Sequence, residues 1–196
     1  MKLSKSAIAI IAVIIIVILW GISGYNSLVN QDESVSTAWS NVEAQYQRRS
    51  DLIPNLVSTV KGYAKHEQST FQSVVEARAK ATQVTIDPSN ITPEKLQEFQ
   101  KAQSGVSSAL GRLIAVSENY PELKASQNFS ELQAQLEGTE NRINESRRLY
   151  NESVQAYNRK VRSFPGNILA GIFGFQQKTK FEAESGAEKA PKVSFD

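Results

Sequence analysis

The stretch AIAIIAVIIIVILWGI, Ala7 to Ile22, is sixteen apolar residues with no charge and no proline, and its reading governs the rest of the chain. No charged residue occurs between Ser6 and Gln31; Lys2 and Lys5 lie before the run, Asp32 and Glu33 after it. A helix of about 20 apolar residues crosses a hydrocarbon core of roughly 30 Å, so the run spans a bilayer once Ser6, Ser23, Gly24 and Tyr25 contribute. Trp20 and Tyr25 are the amphipathic rings expected at a membrane–water interface. Residues 1–24 therefore read as a single transmembrane anchor, with Ala7, Ile11, Ile15, Leu19, Trp20 and Tyr25 as its lipid-facing and interfacial residues. A cleaved signal peptide shares the basic start, but its apolar core is shorter and a turn usually follows it. The lysines favour a cytoplasmic N-terminus and an extracytoplasmic remainder in the cell membrane, with a cytoplasmic remainder as the alternative.

Beyond the anchor, the chain is rich in Ala, Gln, Glu, Ser and Leu and has no cysteine, a composition that favours helix without disulfides. Steps of four and three from Val35 visit Trp39, Val42, Tyr46, Arg49, Ile53, Leu56, Val60, Tyr63, Glu67, Thr70, Val74, Ala77 and Ala81, most of them apolar or aromatic. This seam predicts one helix from about Tyr25 to Gln83, kinked near Ser50 by Pro54 rather than folded into a hairpin. Thr92-Pro93-Glu94 reads as N-cap, first-turn proline and an acid facing the helix dipole, opening a helix to about Asn119. Glu122 to Gln127 suggests a short helix, and a Ser130/Gln133 capping box starts a last long one. That helix carries Leu132, Leu136, Thr139, Ile143, Ser146, Tyr150, Val154, Tyr157, Val161 and Phe164 on its seam and stops at Phe164-Pro165-Gly166. The expected fold is all-α: one transmembrane helix, then an antiparallel up-down bundle over residues 25–166 of three long helices and a short fourth. An apolar segment occupies 167–175, and the tail 176–196 lacks a periodic apolar pattern and reads as disordered.

Familiar catalytic patterns are missing. His66 is the single histidine; Thr70 stands where a zincin would place its second histidine, and no Glu-x-x-His pair exists for a di-iron bundle. Neither a nucleophile elbow nor a phosphate-binding loop occurs, and a net charge of +2 with interleaved signs does not suggest nucleic acid. The chain is expected to be non-enzymatic and to need no cofactor. Polar seam residues Arg49, Glu67, Tyr150 and Tyr157 are expected to make interhelical contacts that fix register. Arg48, Arg49, Asp51 and Pro54 form a candidate partner or kink site. Tyr150-Asn151 and Tyr157-Asn158 recur at heptad spacing, which core packing explains. Ile168, Leu169, Ile172, Phe173 and Phe175 form a candidate interfacial segment, too short to span a bilayer. It either closes the bundle, enters a membrane interface or meets another subunit.

Several collinear stretches resemble the LemA family: Tyr25 to Val29, Tyr46 to Val57 (YQRRSDLIPNLV), Val60 to Glu67 (VKGYAKHE), Asn128 to Asn158 and Phe164 to Phe175. The resemblance implies a bacterial protein with one N-terminal transmembrane helix, an antiparallel helical bundle and no established enzymatic activity. It also implies relatives associated with membrane compartments such as magnetosomes, genes neighbouring membrane proteases, and the option of a cytoplasmic bundle. The expected role is a membrane-anchored helical scaffold, a homo-oligomer that organises a membrane region. The alternative is an accessory or sensor domain that binds a peptide, a lipid or a membrane-protein partner such as a protease.

Overall fold

The computed structural model describes residues 4–88 and 90–182. Among these the fold is all-α: α1 Lys5–Tyr63, α2 Gln68–Gln83, α3 Pro93–Val116, α4 Pro121–Lys124, α5 Gln127–Arg162 and α6 Gly166–Phe173, with a 3₁₀ turn at Ser117–Asn119. The first 59-residue helix is long and apolar enough to cross a membrane, and no other described helix is. Its large side chains from Ile8 to Ile22 touch nothing that would shield them from the surroundings. β-Branched Ile and Val are only moderate helix formers in water. In hydrocarbon, however, a helix is the form that satisfies every backbone N–H and C=O within the segment. The same helix then continues without a break into the bundle, where Leu28, Val35, Trp39, Val42, Ile53, Leu56 and Val60 are buried.

The seam holds to Val60 and then slips. Tyr63 is exposed, Ala64 to Glu67 leave the helix, and Phe71 rather than Thr70 enters the core. The expected helix to Gln83 is therefore two helices joined by a tight connection. Arg78 on α2 reaches Ser50 on α1, and the midpoint of that pair is Ala64, so α2 runs back along α1. No proline or left-handed residue marks this reversal. It forms because folding back buries Phe71, Val74 and Ala81 against Ile53, Leu56 and Val60, which a straight continuation would leave in water. Pro54 does not interrupt α1.

With α1 up, α2 down, α3 up and α5 down, the bundle is an up-down four-helix arrangement. Its core divides into two clusters. One lies near the start of the bundle and includes Trp39, Phe99, Tyr150 and Tyr157; the far one includes Leu56, Leu113, Leu123 and Phe129. Thr92 caps α3 by accepting the Lys95 amide at 3.3 Å, with Pro93 in the first turn. The last long helix begins three residues before the expected Ser130, with Ser126 at the N-cap position and no side-chain cap. Phe164 leaves the seam, 81% exposed, at the turn into α6. The tail expected to be disordered from Gln176 is instead held against the bundle as far as Glu182; residues 183–196 lie outside the described residues.

Candidate functional site

Three places on the bundle bring chemistry-bearing side chains together. The first is the foot of the bundle, where α1 emerges from its apolar half. There α6 packs on α1. Gly24 lies under Leu169, and a Cβ at residue 24 would run into the Leu169 Cδ1. The glycine thus permits the close approach. The Tyr25 ring meets Phe173 at 4.7 Å and Phe175 at 5.9 Å between centroids. Leu169 and Ala170 face inward, while Ile168, Ile172 and Phe173 are left exposed on the other side of the short helix. Of the anchor residues, Tyr25 meets the interfacial segment at this point, while Ile11, Ile15 and Leu19 stay exposed along the apolar half of α1. Gly174, in the left-handed conformation (φ 76°), ends α6, and the Phe175 amide donates back to the Ala170 carbonyl.

The second is a buried cation. Arg49 is 2% exposed. Its Nη1 donates to Glu140 Oε1 at 2.6 Å and to Ser107 Oγ at 2.8 Å, and its Nη2 donates to Gln103 Oε1 at 2.7 Å. The guanidinium also lies over the Tyr46 ring, 5.1 Å from the centroid. One side chain of α1 thereby ties α3 and α5, and a planar fork suits this multiple recognition better than a lysine point charge. A buried guanidinium is tolerable only when paired in this way. The sequence grouped Arg49 with Arg48, Asp51 and Pro54, but the structure separates them. Arg48 and Pro54 are exposed, and Asp51 accepts from Gln47 on the surface at 2.7 Å. The carbonyl that Pro54 leaves without its helical donor is served from elsewhere. Pro54 lacks the N–H that would bond the Ser50 carbonyl, and Arg78 Nε of α2 donates to that oxygen at 3.0 Å and to Ser50 Oγ at 3.1 Å.

The third place is one whose residues the sequence pattern indicates only as core. Asn158 donates from Nδ2 to the Lys178 carbonyl and accepts the Lys178 amide at Oδ1, both at 2.8 Å. Asn151 does the same for Phe181, at 3.0 and 2.8 Å. Between them the Tyr150 hydroxyl donates to the Thr179 carbonyl at 2.9 Å. The Phe181 ring is buried, stacked on Trp39 at 5.8 Å and edge-on to Tyr150 at 5.3 Å, with the Arg147 guanidinium 4.8 Å from its centroid. Lys178 pairs with Asp32 at 2.5 Å beside the Tyr157 ring. Tyr150 thus bonds to the tail and not to another helix, as its seam position had suggested. Burial pushes the Tyr150 phenol up, and burial together with the Asp32 charge pushes Tyr157 up to about 12. Both rings are therefore neutral phenols packed in the core at physiological pH. The clue in the sequence was the Asn following each Tyr: at heptad spacing the two amides share a face as the two rings do. No grouping of three or more His, Asp or Glu suited to a metal ion occurs among the described residues.

Fold and surface together describe a helical-bundle protein that carries one N-terminal helix of membrane-crossing length. The chain belongs to the LemA family, which it matches over residues 38–195, as its motifs suggested. It is 28% identical over 183 residues to magnetosome protein MamQ 2 of Paramagnetospirillum magneticum, covering 84% of this chain and 66% of that protein. It is 26% identical over 181 residues to magnetosome protein MamQ of Magnetospirillum gryphiswaldense, with the same coverage. To protein LemA of Metamycoplasma hominis it is 26% identical over 158 residues, covering 81% of this chain and 68% of that one. The chain thus spans 66% of the length of the MamQ proteins it resembles.

Proposed function

We propose that this protein is a membrane-anchored, non-enzymatic helical scaffold that self-associates and organises the membrane region around it. The observation that carries the reading is the foot of the bundle. The unshielded apolar half of α1 runs into the bundle as one helix, and at the junction α6 presents Ile172 and Phe173, 69% and 54% exposed, beside Tyr25. An apolar helix face at the level of an interfacial tyrosine suits insertion into the headgroup boundary. The anchor and α6 together hold the bundle at a set height and tilt over the lipid, which α1 alone does not. Relatives named as magnetosome proteins are in keeping with this role. The lysine bias ahead of the span orients the bundle away from the cytoplasm; proteolysis of the C-terminal tail in intact cells tests that orientation, and protection would reverse it.

Because the chain has no cysteine of its own, single labels are straightforward to introduce. The Ile172→Cys chain, carrying a polarity-sensitive dye and reconstituted in vesicles with brominated lipid, is expected to be quenched like Ile22→Cys. Gln72→Cys on α2 serves as the unquenched control. A water-like, unquenched dye at residue 172 would remove α6 from the lipid. Mass photometry after gentle detergent extraction is expected to give a homo-oligomer; a monomer with a foreign partner would favour the accessory-domain reading.

A further inference from the structure

The last turn of α5 carries a basic rim. Arg159, Lys160 and Arg162 are all exposed there, and no ion pair involves them among the described residues. Their height over the membrane follows from the register of α5 on α1. The Trp39 ring meets the Tyr150 ring at 5.5 Å, and Arg49 pairs with Glu140. Ten residues forward along α1 are thus ten residues back along α5. The same register run the other way sets Arg162 opposite Ser27, Lys160 opposite Val29 and Arg159 opposite Asn30. Lys178 agrees with it, pairing with Asp32 while lying beside the Tyr157 ring. These levels are two to five residues above Tyr25, about 3 to 8 Å at 1.5 Å per residue. A bilayer of about 40–45 Å around a core of roughly 30 Å leaves each headgroup layer about 5–8 Å deep. The rim therefore stands at phosphate depth when Tyr25 stands at the edge of the hydrocarbon.

Past the rim the surface turns apolar. Phe164, 81% exposed, follows two residues after Arg162, and α6 then leaves Ile168, Ile172 and Phe173 exposed. Gly166 lets the chain turn this tightly, since a Cβ there would sit 2.6 Å from the Lys160 carbonyl oxygen. Cations above exposed rings and aliphatic groups match the layers of an anionic phospholipid, phosphate outermost and acyl chains within. We infer that the rim binds the headgroups of anionic phospholipids, so that the foot of the bundle gathers acidic lipid around itself. This binding rests on the anchored reading above and gives it a lipid class. Charge complementarity favours that occupant. The facing stretch of α1, Ser27 to Asn30, has no acid; Asp32, just above it, is already paired with Lys178, and Glu33 is the next carboxylate. Cations at a helix C-terminus also complement the macrodipole, but that role calls for no exposed phenylalanine below them.

The test uses the full-length chain with a dye at Ile22→Cys, in the leaflet below the rim, or at Ile8→Cys, near the opposite face. Vesicles of phosphatidylcholine carry a fixed fraction of brominated phosphatidylglycerol or of brominated phosphatidylcholine, and excess quenching by the first measures local enrichment. At residue 22 phosphatidylglycerol is expected to have an advantage of about fivefold, the effect of one basic group on one headgroup charge. It should shrink at roughly 1 M salt. Arg159→Gln, Lys160→Gln and Arg162→Gln together are expected to remove it while leaving the signal at Ile8→Cys, beside Lys5, unchanged; Arg162→Gln alone should lower it. A charge-matched set, Lys80→Gln, Lys101→Gln and Arg142→Gln, is expected to keep it, each being two residues from a side chain that meets Arg49 or Ser50. So is the set Arg159→Lys, Lys160→Arg and Arg162→Lys, which retains the charge. Circular dichroism checks that each variant keeps its helices. Equal quenching by the two lipids with the rim intact overturns headgroup binding and leaves the anchor standing, as does a preference that survives the glutamine set. Loss of the preference in the distant set or in the charge-retaining set overturns it as well, since the rim's charge would then not be its source. A dye at residue 22 that neither lipid quenches removes the anchor itself, and the headgroup contact with it.

Discussion

Replacing Arg78 by methionine removes the donor that serves the Ser50 carbonyl, and the effect should depend on whether residue 54 is proline. In the native chain Pro54 offers no N–H to that oxygen, so Arg78 Nε supplies the bond at 3.0 Å, with a second contact to Ser50 Oγ at 3.1 Å. A hydrogen bond from a charged donor contributes about 1.5–3 kcal/mol. Arg78 and Ser50 are both half-buried, which puts Arg78→Met near the lower bound, about 1.5 kcal/mol. In a Pro54→Ala background the alanine N–H returns to the Ser50 carbonyl, and only the hydroxyl contact is lost, roughly 0.5 kcal/mol. The double-mutant cycle should therefore give a coupling of about 1 kcal/mol, above the few tenths by which independent sites fail to add. Denaturant unfolding of the full chain in detergent micelles, followed by circular dichroism, measures all four corners. Pro54→Ala alone should stabilise, since an interior proline costs a helix up to about 3 kcal/mol. If Arg78→Met is equally costly in both backgrounds, Arg78 is not standing in for the missing N–H, and the account of how α1 accommodates its proline is wrong.

Arg49→Met should destabilise the bundle by roughly 2 kcal/mol, because Gln103, Ser107 and Glu140 lose a charged donor while Glu140 can still reach water. Arg48→Met, on the surface one residue away, should stay within about 0.5 kcal/mol of the native chain by the same denaturation assay; equal losses would mean that the buried knot contributes nothing special. The tyrosines give a pH test. Tyr157 is held up to about 12, and Tyr150 is raised by burial. Unfolded phenols ionise near 10, so their contribution to stability is complete below about pH 10 and falls as pH rises toward 12. Absorbance titration should show Tyr150 and Tyr157 ionising late, with the melting temperature dropping over the same interval; ionisation of both near the unfolded value would refute their burial against the tail.

Much of the fold was legible because it rests on local chemistry. The apolar run, the Thr92-Pro93 start of α3 and the stop at Phe164-Pro165-Gly166 are written in adjacent residues, and each stands where its residues indicated. The reversal after Tyr63 was not legible. It has no proline or left-handed glycine, and the seam resumes one residue out of phase at Phe71, so heptad counting runs straight through it. The candidate site divides in the same way. The apolar character of Ile168, Ile172 and Phe173 was plain, but their position beside Tyr25 depends on Leu169 seating over Gly24. Arg49 stood out as a charge on an apolar seam; its partners on α3 and α5, 54 to 91 residues away in sequence, did not. The ordered tail is not legible in the sequence because Lys178 to Glu182 has no periodicity. Its order comes from side-chain amides on α5 that complete its backbone hydrogen bonds.

The amino-acid order alone determined that this protein is helical, that one leading segment is suited to lipid, and that helices start and stop at particular caps and breakers, since these depend on neighbours within a few residues. Only the tertiary structure decided that the first long seam folds back on itself, that Arg78 of one helix repairs the proline of another, and that two asparagines hold an extended tail. Each of those outcomes depends on which distant surface is available to bury an apolar face or to satisfy a backbone group. That information is absent from any local stretch of the chain.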